Sequence, residues 1–122
     1  MLTDSLFKIR LSNHREGSIE ATLELNKNNE IFFGHFPGQP VLPGACMLQM
    51  IKEVLESSLN ISTRLKKADQ IKFPFLIDPE INNILQLTIA YQSEDEKNVH
   101  VTANLIAKND ICFKFKGTFI AL

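Results

Sequence analysis

Pro43-Gly44-Ala45-Cys46-Met47-Leu48-Gln49-Met50-Ile51-Lys52-Glu53-Val54-Leu55-Glu56-Ser57-Ser58-Leu59 is the stretch in which apolar residues return at helical steps. Met47, Leu48, Ile51, Val54, Leu55 and Leu59 are three or four apart, with Lys52, Glu53 and Glu56 between them. That spacing lays one apolar stripe along a helix, and Pro43-Gly44 opens it where the preceding chain ceases to be regular. A second pattern surrounds the helix. Phe7–Leu11 and Ile19–Leu25 alternate apolar with basic or polar side chains, as half-buried strands do, and His14-Arg15-Glu16-Gly17 reads as the turn between them.

After the helix, residues 68–73, 84–91, 99–106 and 111–119 read as strands. The last three form an antiparallel meander, its turns supplied by Ser93–Asn98 and Lys108-Asn109-Asp110. One helix beside antiparallel strands of this length predicts an α+β domain whose sheet curls around the helix. A chain of 122 residues holds one such domain, residues 1–122, without repeat or linker.

Composition removes several classes of function. Thirteen basic residues against fourteen acidic ones give a net charge of −1, so the usual electrostatic case for nucleic-acid binding is missing. No apolar run approaches the roughly 20 residues needed to span a bilayer, and residues 1–7 lack the basic start and apolar core of a secretory signal. The expectation is a cytoplasmic protein without a membrane partner. Cys46 and Cys112 belong to no close Cys/His pair, so they read as buried thiols and no metal site is expected.

Chemistry concentrates just before the helix. Asn26–Glu30 is a polar break, and Ile31-Phe32-Phe33 then runs into Gly34-His35-Phe36-Pro37-Gly38-Gln39-Pro40-Val41-Leu42-Pro43-Gly44, where three prolines and three glycines exclude both a regular helix and a central strand. His35 thus sits on a stiffened loop leading into a helix start, and a helix start offers backbone N–H groups without partners. With a thioester carbonyl held against the N–H groups of Gly44 and Ala45, His35 is suited to removing the adjacent Cα proton near neutral pH, the enolate being stabilised by those donors.

The run His35-Phe36-Pro37-Gly38-x-Pro40-Val41-x-Pro43-Gly44 resembles the active-site segment of the bacterial (3R)-hydroxyacyl-acyl-carrier-protein dehydratases of fatty-acid biosynthesis. Ile71-Lys72-Phe73, Asp78-Pro79 and Leu85–Ile89 extend the resemblance over most of the chain. It implies a hot-dog fold, an antiparallel sheet wrapped round one long central helix, and a homodimer with two shared active sites, in some members a trimer of dimers. It also implies a lyase that converts (3R)-3-hydroxyacyl thioesters to trans-2-enoyl thioesters. The substrate arrives on the phosphopantetheine of acyl carrier protein or as a coenzyme A thioester, with no cofactor of the enzyme's own. His35 takes the part of the base, and Gly44 and Ala45 bind the thioester oxygen.

Five residues after Gly44 the family carries Glu or Asp to protonate the leaving hydroxyl, whereas this chain has Gln49. A glutamine donates hydrogen bonds and delivers no proton, and losing a general acid costs about 10²–10⁴ in rate. Three readings stay open. In one, Gln49 orients the β-hydroxyl and His35 serves as base and then acid. In another, Glu53, one turn further along the same face, is an auxiliary carboxyl, as if the family's Glu and Gln had exchanged places. In the third, elimination is lost, and the domain is a thioesterase of the same fold or a thioester-binding partner subunit of an active dehydratase.

Phe32, Phe33, Met47, Leu48 and Met50 are candidates for lining an acyl tunnel, with core packing the commoner role for such residues. Arg64-Leu65-Lys66-Lys67 and Lys72 form a candidate basic rim for a carrier protein or simply a solvated face, and Pro74-Phe75 stands where the family often continues with basic residues. His14 and His100 receive no function.

Overall fold

A computed structural model describes residues 1–34 and 40–122. Six strands and two helices follow one another as β1 (Phe7–Arg15), β2 (Ser18–Leu25), α1 (Ile31–Gly34), α2 (Gly44–Leu59), β3 (Thr63–Lys72), β4 (Ile84–Glu94), β5 (Asn98–Ala107) and β6 (Asp110–Ala121). The strands form one antiparallel sheet in the order β1-β2-β4-β5-β6-β3. After the β1–β2 hairpin the chain crosses through α2 to the far edge, lays down β3, and returns to the middle as β4. This is the α+β hot-dog fold expected from the sequence, and β4-β5-β6 is the expected meander.

The alternation of the strands becomes the inner face of the sheet. Ile19, Ala21, Leu23 and Leu25 of β2, Leu85, Leu87 and Ile89 of β4, the odd-numbered residues 99–107 of β5, and Phe113, Phe115 and Phe119 of β6 are buried. Against them lie Met47, Met50, Ile51, Val54 and Leu55 of α2. Each such side chain contributes about 1.5–3 kcal/mol of transfer free energy, so the helix is held by its stripe rather than by its ends. Its C-terminus is closed by Asn60 at φ 54°, whose N–H donates to Glu56 O, a left-handed cap that asparagine tolerates. The Glu56 carboxylate accepts from Thr63 N at 2.6 Å and Thr63 Oγ1 at 3.1 Å, tying the end of α2 to the start of β3.

Three local expectations change. His14 and Arg15 belong to β1, and the turn is the pair Glu16-Gly17, with Gly17 at φ 81°. His14 Nε2 lies 2.6 Å from the Tyr91 hydroxyl, which holds the hairpin tip onto β4. β3 begins at Thr63 instead of Ala68, so the whole of the candidate basic rim is strand. Ile31–Gly34 is a four-residue helix, a second helix that periodicity does not announce.

β3 is an edge strand, and after Thr63 every residue of it is exposed. Its pairing with β6 shifts register between Leu65 and Lys67 and again between Ala68 and Gln70. Between them β6 presents Gly117, where a Cβ would stand 2.4 Å from Lys67 O and 2.6 Å from Phe115 Cζ. Only a residue without a side chain lets β3 approach so closely.

Candidate active site

The site is organised by the first turns of α2. Pro43 precedes the helix in an extended conformation (φ −65°, ψ 146°) and provides no side-chain cap. Its carbonyl accepts from Cys46 N at 3.0 Å and Met47 N at 3.2 Å. The N–H groups of Gly44 and Ala45 come before these and meet no acceptor among the described residues. That is the pair of donors expected from the sequence, on a helix end where the partial positive charge favours an anion. The approach is fixed from below: Leu42 N donates to Ile77 O at 2.9 Å, and Asp78 Oδ1 accepts from Glu80 N at 2.9 Å in a turn that holds Ile77 in place. Asp78-Pro79 therefore anchors the segment that leads into α2.

A side chain that the sequence reading left out of the site also stands here. The Phe73 ring, just beyond β3, packs over Gly44, where a Cβ would lie 2.5 Å from its Cε1. It also contacts Phe113, with ring centroids 5.1 Å apart. A helix-start glycine is thus required for room as much as for backbone exposure.

Gln49 is half-buried on α2, and its Nε2 donates to Glu53 Oε2 at 2.9 Å. The i,i+4 spacing brings these two together, as the sequence suggested. Glu53 is 4% exposed, and its carboxylate is occupied from several sides. Oε1 accepts from Leu2 N at 3.1 Å, Thr3 N at 2.9 Å and Thr3 Oγ1 at 2.5 Å, and Oε2 from Leu2 N at 2.8 Å as well as from Gln49. Burial pushes this carboxyl up, but the Thr3 hydroxyl, the Leu2 N–H, the Gln49 amide and the Thr3 N–H together outweigh it and hold the group below its ordinary value. It is ionised at neutral pH. Nothing in the sequence marked Leu2 and Thr3 as its partners, because the donors are mostly backbone.

The tunnel candidates divide. Phe32 and Met47 are core residues, 2% and 3% exposed, Met50 is fully buried, Leu48 is half-buried, and Phe33 is 64% exposed. His35 lies outside the described residues, immediately after α1. Cys46 and Cys112 are buried thiols, and burial raises both. No group of His, Cys, Asp and Glu able to hold a metal ion occurs among the described residues.

The chain resembles known proteins in sequence and in fold. The model of the ApeI-like family, described as ApeI dehydratase, matches residues 11–116. The 3-hydroxyacyl-[acyl-carrier-protein] dehydratase FabZ of Ehrlichia chaffeensis is 26% identical over 103 residues, 77% of this chain and 72% of that protein. The FabZ of Lactobacillus helveticus is 26% identical over 111 residues, 84% and 73%. Among solved structures, the dehydratase heterocomplex ApeI:P from Xenorhabdus doucetiae superposes with a TM-score of 0.69 at 22% identity, covering 90% of this chain and 96% of that one. A hypothetical thioesterase from Streptococcus pneumoniae with coenzyme A shares the fold at a TM-score of 0.69 and 10% identity, covering 95% and 85%. The chain belongs to the ApeI-like family of hot-dog dehydratases.

Proposed function

We propose that this protein eliminates water from (3R)-3-hydroxyacyl thioesters to give trans-2-enoyl thioesters, and runs the hydration in reverse. The observation that carries the reading is the uncapped start of α2, with Gly44 and Ala45 N–H open and Gln49 one turn beyond, in a chain matched along most of its length by a dehydratase family. The thioester oxygen rests on those two N–H groups, which raises the acidity of the Cα proton and stabilises the enolate. His35 removes that proton. Gln49 holds the β-hydroxyl, and the protonated His35 returns the proton to the leaving oxygen, so that one imidazole serves both half-steps. Glu53 does not stand in for the missing acid, because its carboxylate is saturated with donors and ionised. The substrate comes on the phosphopantetheine of acyl carrier protein or as a coenzyme A thioester, in the cytoplasm, and the chemistry asks for no metal or redox group.

The reading includes a homodimer. Among the described residues β3 pairs on one side only, with β6, and Ile71, Phe73, Phe75 and Leu76 on or beside it are 42–74% exposed. An edge of this kind is covered by another strand, and a second copy provides one. A second assembly is favoured by Gln49 itself. In it a second subunit brings the carboxylic acid that Gln49 does not provide; the similar ApeI:P structure is, by its name, a dehydratase heterocomplex.

The test is hydration of crotonyl and longer trans-2-enoyl thioesters, on carrier protein and on coenzyme A, by wild type, His35→Ala, Gln49→Ala and Gln49→Glu. The expected result is turnover in wild type, its loss in His35→Ala, and a fall of about 10-fold or more in Gln49→Ala. Free thiol released without change at the β-carbon identifies a thioesterase instead. A wild type silent with every substrate, with activity gained in Gln49→Glu, identifies a subunit that works with a homologous partner.

A further inference from the structure

The saturated carboxylate of Glu53 has a use that the proposed chemistry leaves unassigned. A carboxylate has about four lone-pair sites, and here five donor contacts converge on it, from the backbone of Leu2 and Thr3, the Thr3 hydroxyl and the Gln49 amide. An ionised acceptor admits only the NH₂ end of a neighbouring amide. Gln49 is therefore fixed in one of its two otherwise near-equivalent orientations, with Oε1 and its second N–H directed away from Glu53.

The backbone that fills the rest of the carboxylate is itself held in place. Leu6 N donates to Leu2 O at 2.8 Å, closing residues 2–6 into a compact strap. Asn26 and Asn29 both reach the strap through Ser5 O, their Nδ2 atoms at 3.1 and 3.0 Å, and Asn26 N donates to Leu6 O at 2.7 Å. Asn29 then turns its Oδ1 to Ile31 N at 2.9 Å, capping the first residue of α1. A hydrogen-bonded path thus runs from Gln49 through Glu53, Leu2–Leu6 and Asn29 to the start of α1.

We propose that Glu53, held by the strap Leu2–Leu6, is a positioning residue that sets the orientation of the Gln49 amide. The inference rests on the reading of Gln49 and His35 given above. Glu53 touches neither substrate nor reacting atoms; it works through the group it holds.

Two measurements on the full chain test this. The first is NMR of the Gln49 side-chain NH₂ and of the Leu2 and Thr3 amides in wild type, Glu53→Gln and Thr3→Val. The expectation is a Gln49 NH₂ pair that shifts when the carboxylate is removed, with faster hydrogen exchange at Leu2 and Thr3 and a smaller change of the same kind in Thr3→Val. The second is a double-mutant cycle in enoyl-thioester hydration with Glu53→Gln, Gln49→Ala and the pair. Glu53→Gln should lower kcat about 10- to 100-fold with KM nearly unchanged, as a loss of geometry in the transition state does, and should add little once Gln49 is alanine. Equal losses in both backgrounds overturn the proposal, because Glu53 would then act on stability alone. If wild type does not turn over, the reading of the site has failed, and the NMR arm decides this inference alone: unshifted Gln49 resonances in Glu53→Gln overturn it. Should Glu53→Gln fail to fold, Thr3→Val carries both arms, with smaller effects in the same directions.

Discussion

Gly117→Ala is the substitution whose consequence can be worked furthest. The added Cβ would lie 2.4 Å from Lys67 O, 2.6 Å from Phe115 Cζ and 3.2 Å from Ala68 Cα. Phe115 is packed in the core and the other two atoms are backbone, so no flexible tip is available to yield. Ordinary contact requires β3 to retreat by about 1 Å, which carries an N–H···O separation from about 2.9 Å to beyond bonding range. Overpacking of this kind costs about 1–3 kcal/mol, and losing two ladder bonds adds about 0.5–1.5 kcal/mol each. A total near 3 kcal/mol corresponds to a fall in Tm of about 12 °C for a domain of this size. The loss should concentrate in β3, which buries only Thr63 and has little else to hold it. Thermal melting gives the total, and hydrogen exchange gives its location, with protection falling at residues 67–72 while β4 and β5 keep theirs. A variant that melts within about 2 °C of wild type, or one whose exchange rises uniformly, refutes the argument that the close approach at Gly117 holds β3.

Two further expectations follow from the site. Because the Glu53 carboxyl is held below its unfolded value of about 4.3, its contribution to stability is fully present above that pH and is lost as pH falls through the lower folded value. The gap in urea midpoint between wild type and Glu53→Gln should accordingly be widest near neutrality and close in acid, and a gap indifferent to pH would contradict the assigned ionisation. Gly44→Ala should drive the half-exposed Phe73 ring off the helix start and away from Phe113; measured by denaturant unfolding, Phe73→Ala should remove most of its penalty, while additive effects would show that the two residues do not meet.

Where one face of an element is buried, its pattern was readable in advance. The stripe of α2 and the alternation of β2, β4, β5 and β6 became the core, since burial selects apolar residues at the period of the element. β1 beyond Ile9 and β3 beyond Thr63 are exposed on both faces, so no alternation is imposed, and His14-Arg15 and Arg64–Lys67 read as turn and rim when they are strand. The site divides in the same way. The helix start at Gly44 and the Gln49–Glu53 contact are local in sequence and were legible, and His35 falls outside the described residues. The strap on Glu53 and the Phe73 ring over Gly44 are contacts across about 50 and 30 positions respectively, made with backbone or with a ring that any core would accept, and such contacts leave no local signature.

The contact between His14 and Tyr91 has an optical consequence. The chain contains no tryptophan, and Tyr91 is its single tyrosine. Its hydroxyl is engaged by His14, and its N–H donates to Gly17 O, both at the tip of the β1–β2 hairpin. Intrinsic tyrosine fluorescence of this protein is therefore a report from Tyr91, where the hairpin tip meets the β4–β5 ladder, and carries no probe in α2, the Glu53 strap or the β3 edge. A melting curve followed by emission would record the hairpin's release from β4, and a tryptophan introduced at Phe73, half-exposed above Gly44, would provide the missing signal from the helix start.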